Sequence, residues 1–365
     1  MKRYIILIQL LFIFLFTCQN AKEDLNSFEI NALINNVEDN TIVFIRYDSI
    51  IDSTFIRNGK FKFIGNVSNP TRGILYLKEG LISDGFWIEN TKIDVNAIKG
   101  DKYKTLIQGG YEQEMANTHN NKNISTKIKL DSINNFFVKN AKNLSKSEKD
   151  QIFQKLDELN LNIESNSESF IRENPNSYES IFSLNSKKTR WNKEVLEELF
   201  LLMNKDTQET YYGNLLSNYL RLNSNPQIGD KYIDFTQKDT EGKEIKLSEV
   251  KNKYTLIEFW ASWCVSCRRS YPELKKIYYT FNHKGFEIVG VSIDENEDNW
   301  LNAIKKDQLP WVNLTDFKVN DNEAVTIYDV DGIPDNVLID DSDIIIGRDM
   351  NIKELDSVLS ARFNP

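Results

Sequence analysis

The stretch Phe259-Trp260-Ala261-Ser262-Trp263-Cys264-Val265-Ser266-Cys267-Arg268-Arg269 constrains this chain more than any other. Tyr254 to Phe259 reads as a short buried strand and Arg268 to Phe281 as a helix, which sets two cysteines on a strand-to-helix turn. A helix N-terminus offers unpaired backbone N–H groups and the positive end of the helix dipole. Both stabilise a thiolate at Cys264, and the thiolate is the reactive form of cysteine. Cys267, one turn further in, is placed to attack a mixed disulfide formed by Cys264. The pair therefore reads as a dithiol able to exchange two electrons with the disulfide of another protein. A zinc site would need about four ligands. The chain has one CxxC and two histidines, His119 and His283, far apart. A purely structural disulfide would close so short a loop that it gains little chain entropy.

The same stretch, with Pro272 and the later Tyr328-Asp329-Val330-Asp331-Gly332-Ile333-Pro334, resembles the TlpA/ResA-type thiol–disulfide oxidoreductases of the thioredoxin fold. The likeness begins near Pro226, where Ile228-Gly229-Asp230, Asp234-Phe235 and Asp239 to Lys243 are similar to the opening of redoxin domains, and it covers about 226–365. The resemblance implies Cys264 as the attacking and Cys267 as the resolving sulfur. It places Glu258 beneath the dithiol, where a desolvated carboxylate has a raised pKa and can relay the proton of Cys267. Pro334 corresponds to the family's cis-proline, with the backbone of Ile333 facing the CxxC and free to pair with a partner strand. Trp260 and Trp263 are expected around the site, Trp263 with Ile333 on the substrate side. The implied partners are protein disulfides and a membrane thiol electron donor, with no cofactor and no metal.

Three departures from the family pattern stand out. Ser266 replaces the proline common before the second cysteine, Ser270 a glutamate, and Asp335 the threonine after the cis-proline. Arg268 and Arg269 are expected either to favour the Cys264 thiolate or to form a solvated helix face.

The third cysteine belongs to the other end of the chain. Lys2 and Arg3 precede an apolar run from Ile5 to Phe16, and Cys18 follows Leu15-Phe16-Thr17. A run of about 12 residues is too short to span a bilayer and reads as an export signal. A cysteine at its end resembles a bacterial lipoprotein cleavage site, which implies lipidation of Cys18 and a membrane-anchored protein of the cell envelope, facing the periplasm or the surface. A plain secretory signal is the alternative. The net charge of −9 argues against nucleic acid as the main partner.

The expected architecture is multi-domain α+β. A signal peptide (1–18) and tether (19–27) precede an antiparallel β-rich domain (28–109) of six to eight strands, with Asn58-Gly59 as a hairpin turn. Its pattern resembles an uncharacterised domain that precedes thioredoxin domains in many Bacteroidota lipoproteins. A helical region (110–225) follows, with an asparagine-rich loop at Asn117 to Asn123 and a capping box at Ser145-x-x-Glu148. The α/β thioredoxin-like domain (226–365) closes the chain. The leading function is a protein-disulfide reductase. One alternative is a peroxiredoxin-like peroxidase, which needs a threonine where position 261 is Ala. The other is a non-catalytic lipoprotein that binds a surface partner.

Overall fold

The computed structural model describes residues 26–83 and 85–363, so the expected signal peptide, Cys18 and most of the tether lie outside the described residues. The chain divides into two compact units, 1–163 and 164–365, and the division falls inside one long helix.

The first unit opens with β1 (Phe28–Asn35), β2 (Ile42–Tyr47), β3 (Ile50–Phe55), β4 (Lys60–Gly65), β5 (Thr71–Leu77), β6 (Gly80–Leu81), β7 (Phe86–Ile88), β8 (Lys92–Ile98) and β9 (Asp101–Gln108). These form two sheets, β4-β1-β8-β9 and β3-β2-β5-β6 with β7 on β5. Strict alternation buries Val43, Ile45 and Tyr47 on β2 and Phe61 and Phe63 on β4, so one face of each sheet closes a shared apolar core. One pairing, β1 with β8, is parallel, so the sandwich is not wholly antiparallel. Asn58 (φ 50°) and Gly59 (φ 71°) both take the left-handed conformation that a tight hairpin between Arg57 and Lys60 demands.

The expected loop at Asn117 to Asn123 is instead interior to α1 (Tyr111–Asn140). Asparagine is a weak helix former, and tertiary partners override that preference here. Asn117 Nδ2 donates to Ile107 O at 2.8 Å, and Asn123 is fully buried. At the other end the Glu89 carboxylate accepts from Glu112 N at 2.8 Å, satisfying a first-turn amide. The next helix, α2 (Lys146–Glu173), begins with the expected box, Ser145 N donating to Glu148 Oε2 and Glu148 N to Ser145 Oγ.

In the second unit α3 (Tyr178–Asn185), α4 (Lys193–Leu201), α5 (Lys205–Gln208) and α6 (Tyr211–Leu222) pack on a small core of Ile181, Leu184, Leu196, Leu199 and Leu216. Their starts are set by Ser177, Asn192, Asn204 and Thr210, each accepting a first-turn N–H through its side chain. There follow β10 (Thr236–Lys238), β11 (Glu244–Lys246), α7 (Leu247–Val250), β12 (Tyr254–Trp260), α8 (Val265–Phe281), β13 (Phe286–Ser292), α9 (Glu297–Asp307), β14 (Val312–Thr315), α10 (Glu323–Tyr328), β15 (Asp335–Ile339), β16 (Ile345–Arg348) and α11 (Ile352–Phe363). The strands form one sheet in the order β11-β10-β14-β13-β12-β15-β16. β12, β13 and β14 run parallel at its centre, while β15 and β16 return as an antiparallel hairpin. Helices cover both faces. The α8 face holds Leu256, Trp260, Ile288 and Leu338, and the opposite face Ile257, Phe259, Val289 and Val337. Such two-sided burial explains why β12 and β13 are near-continuous apolar runs. The result is the α/β thioredoxin-like domain expected at the C-terminal end.

Candidate active site

The central strand β12 ends at Trp260, the chain turns through Ala261 to Trp263, and Cys264 occupies the N-cap position of α8. Its Sγ accepts from Cys267 N at 3.2 Å, so the sulfur takes the place that a serine or aspartate oxygen fills at other helix starts. Cys264 and Cys267 are joined by a disulfide with their Cα atoms 5.4 Å apart. Cys267 is completely buried and Cys264 slightly less so, at 4 % exposure. Trp263 and Val265 stand out beside them, at 61 % and 68 % exposure.

The turn is held from below by Asp294, two residues past β13. Asp294 is buried and accepts from Ser262 N (2.8 Å), Ser262 Oγ (2.6 Å) and Ser292 Oγ (2.8 Å). A carboxylate with this many donors fixes the backbone immediately before Trp263-Cys264. The signal available in sequence was only an aspartate closing an apolar strand.

Arg268 turns away from the sulfurs. Its Nε and Nη2 donate to the two oxygens of Asp307 at 2.6 and 2.9 Å, and its Nη1 donates to Ser262 O at 3.0 Å. A bidentate pair of this kind presents little net charge to its surroundings, so the structure assigns Arg268 to bracing the turn against α9. Arg269 is exposed. Ser270, where the related pattern has an acid, donates its hydroxyl to Cys267 O at 2.7 Å.

Glu258 lies on β12 two residues before Trp260. Strand alternation therefore points it to the α8 face, with Leu256 and Trp260. It is 4 % exposed. Burial, and then the nearby Asp335 carboxylate, push its pKa up to about 8. The same face of α8 carries Cys267 and, one turn on, Tyr271, whose hydroxyl is pushed upward by its own burial and by the charge of Glu258. Asp335, read from the sequence only as an altered residue after the proline, is thus a second acid of the site, itself raised by burial.

The Ile333–Pro334 peptide is cis. Ile333 packs against the cluster that contains Cys264 and Cys267, and it lies outside the strand ladder, since β15 begins at Asp335.

Similarity to known proteins coincides with this geometry. Residues 228–354 match the family model described as AhpC/TSA family, and residues 28–116 match one described as a domain of unknown function, DUF4369. The chain is 32% identical over 114 residues to the thiol-disulfide oxidoreductase ResA of Bacillus cereus (strain ZK / E33L), covering 31% of this chain and 64% of that protein. It is 32% identical over 111 residues to ResA of Bacillus subtilis (strain 168), covering 30% and 60%. The chain thus spans roughly three fifths of the length of these curated relatives. Among solved structures, the thioredoxin domain of a thiol-disulfide oxidoreductase from Bacteroides vulgatus is 30% identical, with 38% of this chain and 99% of that one covered and a TM-score of 0.36.

Proposed function

We propose, on the premise that residues 228–354 form a TlpA/ResA-type thiol–disulfide oxidoreductase domain, that this chain reduces disulfides of other proteins outside the cytoplasm. The observation that carries the reading is the placement of Cys264 at the N-cap of α8, bonded to the buried Cys267. In the reduced protein the Cys264 thiolate attacks one sulfur of the partner's disulfide. The S–S bond breaks, a mixed disulfide forms, and the first partner sulfur leaves as a thiolate. Cys267 then gives its proton to the Glu258 carboxylate and attacks Cys264 Sγ. The Cys264–Cys267 disulfide forms, the second partner sulfur leaves, and two electrons have passed to the partner. A membrane dithiol donor reverses the sequence and regenerates the thiols.

The match to the AhpC/TSA family favours a second reading, a thiol peroxidase. Ala261 and the intramolecular partner of Cys264 weigh against it. The purified chain, supplied with a dithiol, is expected to accelerate insulin reduction and to leave hydrogen peroxide unconsumed. Peroxide consumption without insulin reduction would reverse the two readings.

The direction of electron flow follows from the charge around the sulfurs. Val265-Ser266 brings no cation between the cysteines, and Arg268 is neutralised by Asp307. Little therefore favours the thiolate beyond the helix terminus, and a strong oxidant requires an unusually stable reduced form. We expect a potential nearer the roughly −270 mV of thioredoxin than the roughly −120 mV of a dedicated oxidant. Equilibration with glutathione measures it, and a value above about −170 mV would assign the protein to oxidation or isomerisation.

We also propose that Cys18 carries a lipid that tethers the protein to a membrane of the cell envelope. Among the described residues no helix is long and apolar enough to cross a membrane. Cys18→Ala is expected to move the protein into the soluble fraction with its turnover per molecule unchanged. Continued membrane retention of that variant would refute the tether.

A further inference from the structure

A cleft of about 450 Å³ opens beside Ile333. One wall is helical, with Ser186 just past α3 and Tyr212 and Leu215 on α6; the other carries Val319, Ile293 and Ile333. Ile293 and Ile333 also pack on the apolar cluster that contains Cys264 and Cys267, and Ile333, beside the cis-proline, lines the cleft itself.

The helical wall is fastened to the segment that leads into Pro334. Asp329 accepts from Tyr219 Oη at 2.7 Å, Asn223 Nδ2 at 2.8 Å and Asn225 Nδ2 at 3.0 Å. Asp331 accepts from Thr189 Oγ1 at 2.7 Å. Asn225 N, from the linker, donates to Ile327 O at 3.0 Å. These bonds hold the two walls at a fixed separation and also occupy the aspartates. Lys188, the cation among the lining residues, lies over the Tyr219 ring at 5.5 Å. Beside these held charges the cleft presents aliphatic and aromatic surface from Tyr212, Leu215, Ile293, Val319 and Ile333, in a volume within the range of sites that enclose side chains or small ligands.

We infer that this cleft is a specificity subsite for the disulfide-bearing partner, taking a bulky apolar side chain adjacent to the partner cysteine. A segment paired with the Ile333 backbone, its cysteine at Cys264, brings its flanking residue to the mouth of the cleft. The helical segment 178–225 is then part of the substrate site: α3 and α6 form a wall, and Tyr219, Asn223 and Thr189 position the loop that presents Ile333. This rests on the oxidoreductase reading and adds the class of partner sequence that the enzyme selects.

The test uses the purified full chain and two peptide disulfides identical except for Phe or Ser beside the cysteine. The native chain is expected to show a kcat/KM about tenfold higher for the Phe peptide, the scale on which an apolar pocket discriminates. Ser186→Trp, at an exposed position on one wall, and Val319→Trp, on the other, are each expected to bring that ratio close to one. Equal use of the two peptides by the native chain would overturn the subsite, as would a preference that survives both substitutions. Hydroxyethyl disulfide is too short to reach the cleft. Its turnover without any peptide preference would remove the subsite alone, and failure to reduce it would overturn the oxidoreductase reading and the subsite with it.

Discussion

Replacing Cys267 by serine is expected to lower turnover by about a thousandfold or more, while Cys264 continues to attack partner disulfides. Cys264 holds the helix terminus and is the less buried sulfur; Cys267 is sealed within the α8 face and meets only what Cys264 has already bound. Without the second thiol the mixed disulfide has no intramolecular exit. It accumulates, and mass spectrometry of non-reduced samples should find one partner per chain, attached at Cys264. Cys264→Ser should trap nothing. Trapping through position 267 in that variant would show that the roles of the two sulfurs are reversed, and sustained turnover by Cys267→Ser would show that resolution does not need the second thiol.

The second large effect concerns Glu258, where rate and stability respond to pH in ways that can be separated. The carboxyl is neutral below its pKa of about 8 and accepts a proton only above it. Resolution of the mixed disulfide in the native chain should therefore accelerate as pH rises through about 8. Glu258→Gln should remove that rise and slow resolution by about a hundredfold at its upper end, with the initial attack by Cys264 much less affected. Equal slowing of both steps, or of neither, would sink the role.

The stability sign is fixed by the same shift. The folded-state pKa stands above the ordinary value of 4.5, so between about 4.5 and 8 the unfolded chain binds fewer protons at this site than the folded one. Stability contributed by this group is full below 4.5 and is lost as pH rises towards 8, by an amount on the order of a few kcal/mol. The Gln variant lacks this loss. Denaturant midpoints at pH 5 and pH 8 should differ less for Glu258→Gln than for the native chain, and a variant with an unchanged difference would show that the carboxyl is not held neutral by burial.

Asp335 sets part of that behaviour. Its carboxylate is the charge that adds to burial in raising Glu258, and a threonine at this position would leave burial to act alone. The departure from the related pattern at 335 therefore bears on the acid as well as on the partner surface. Ser270 adds nothing to proton handling, since its hydroxyl is committed to the Cys267 carbonyl.

The sequence by itself determined those features whose causes are local. Period-two alternation on β2 and β4, Asn58-Gly59 at a turn with positive φ at both positions, the Ser145–Glu148 box, and the apolar runs of β12 and β13 each follow from neighbours a few residues apart. The strand–turn–helix that carries Cys264 and Cys267 belongs with them, because an N-cap is defined within one turn. Local reasoning failed at Asn117 to Asn123 for the complementary reason. Propensity there is weak, and partners outside the helix, such as the carbonyl of Ile107, decide the conformation.

What only the tertiary structure decided is how distant charges meet. Asp294 reaches Ser262 across 32 residues, Asp307 takes Arg268 across 39, and Tyr219 joins Asp329 across 110. No periodicity encodes such pairs, because each depends on which strands lie side by side in the sheet and which helices cover it. Their consequences are nevertheless what tune the site. An arginine that a linear reading sets beside a thiolate is neutralised, an unremarked aspartate holds the turn before Cys264, and a helical segment with no chemical motif becomes one wall of the cleft at Ile333. Burial removes water from all of these groups, and without water each charge is governed by whichever neighbour the fold supplies.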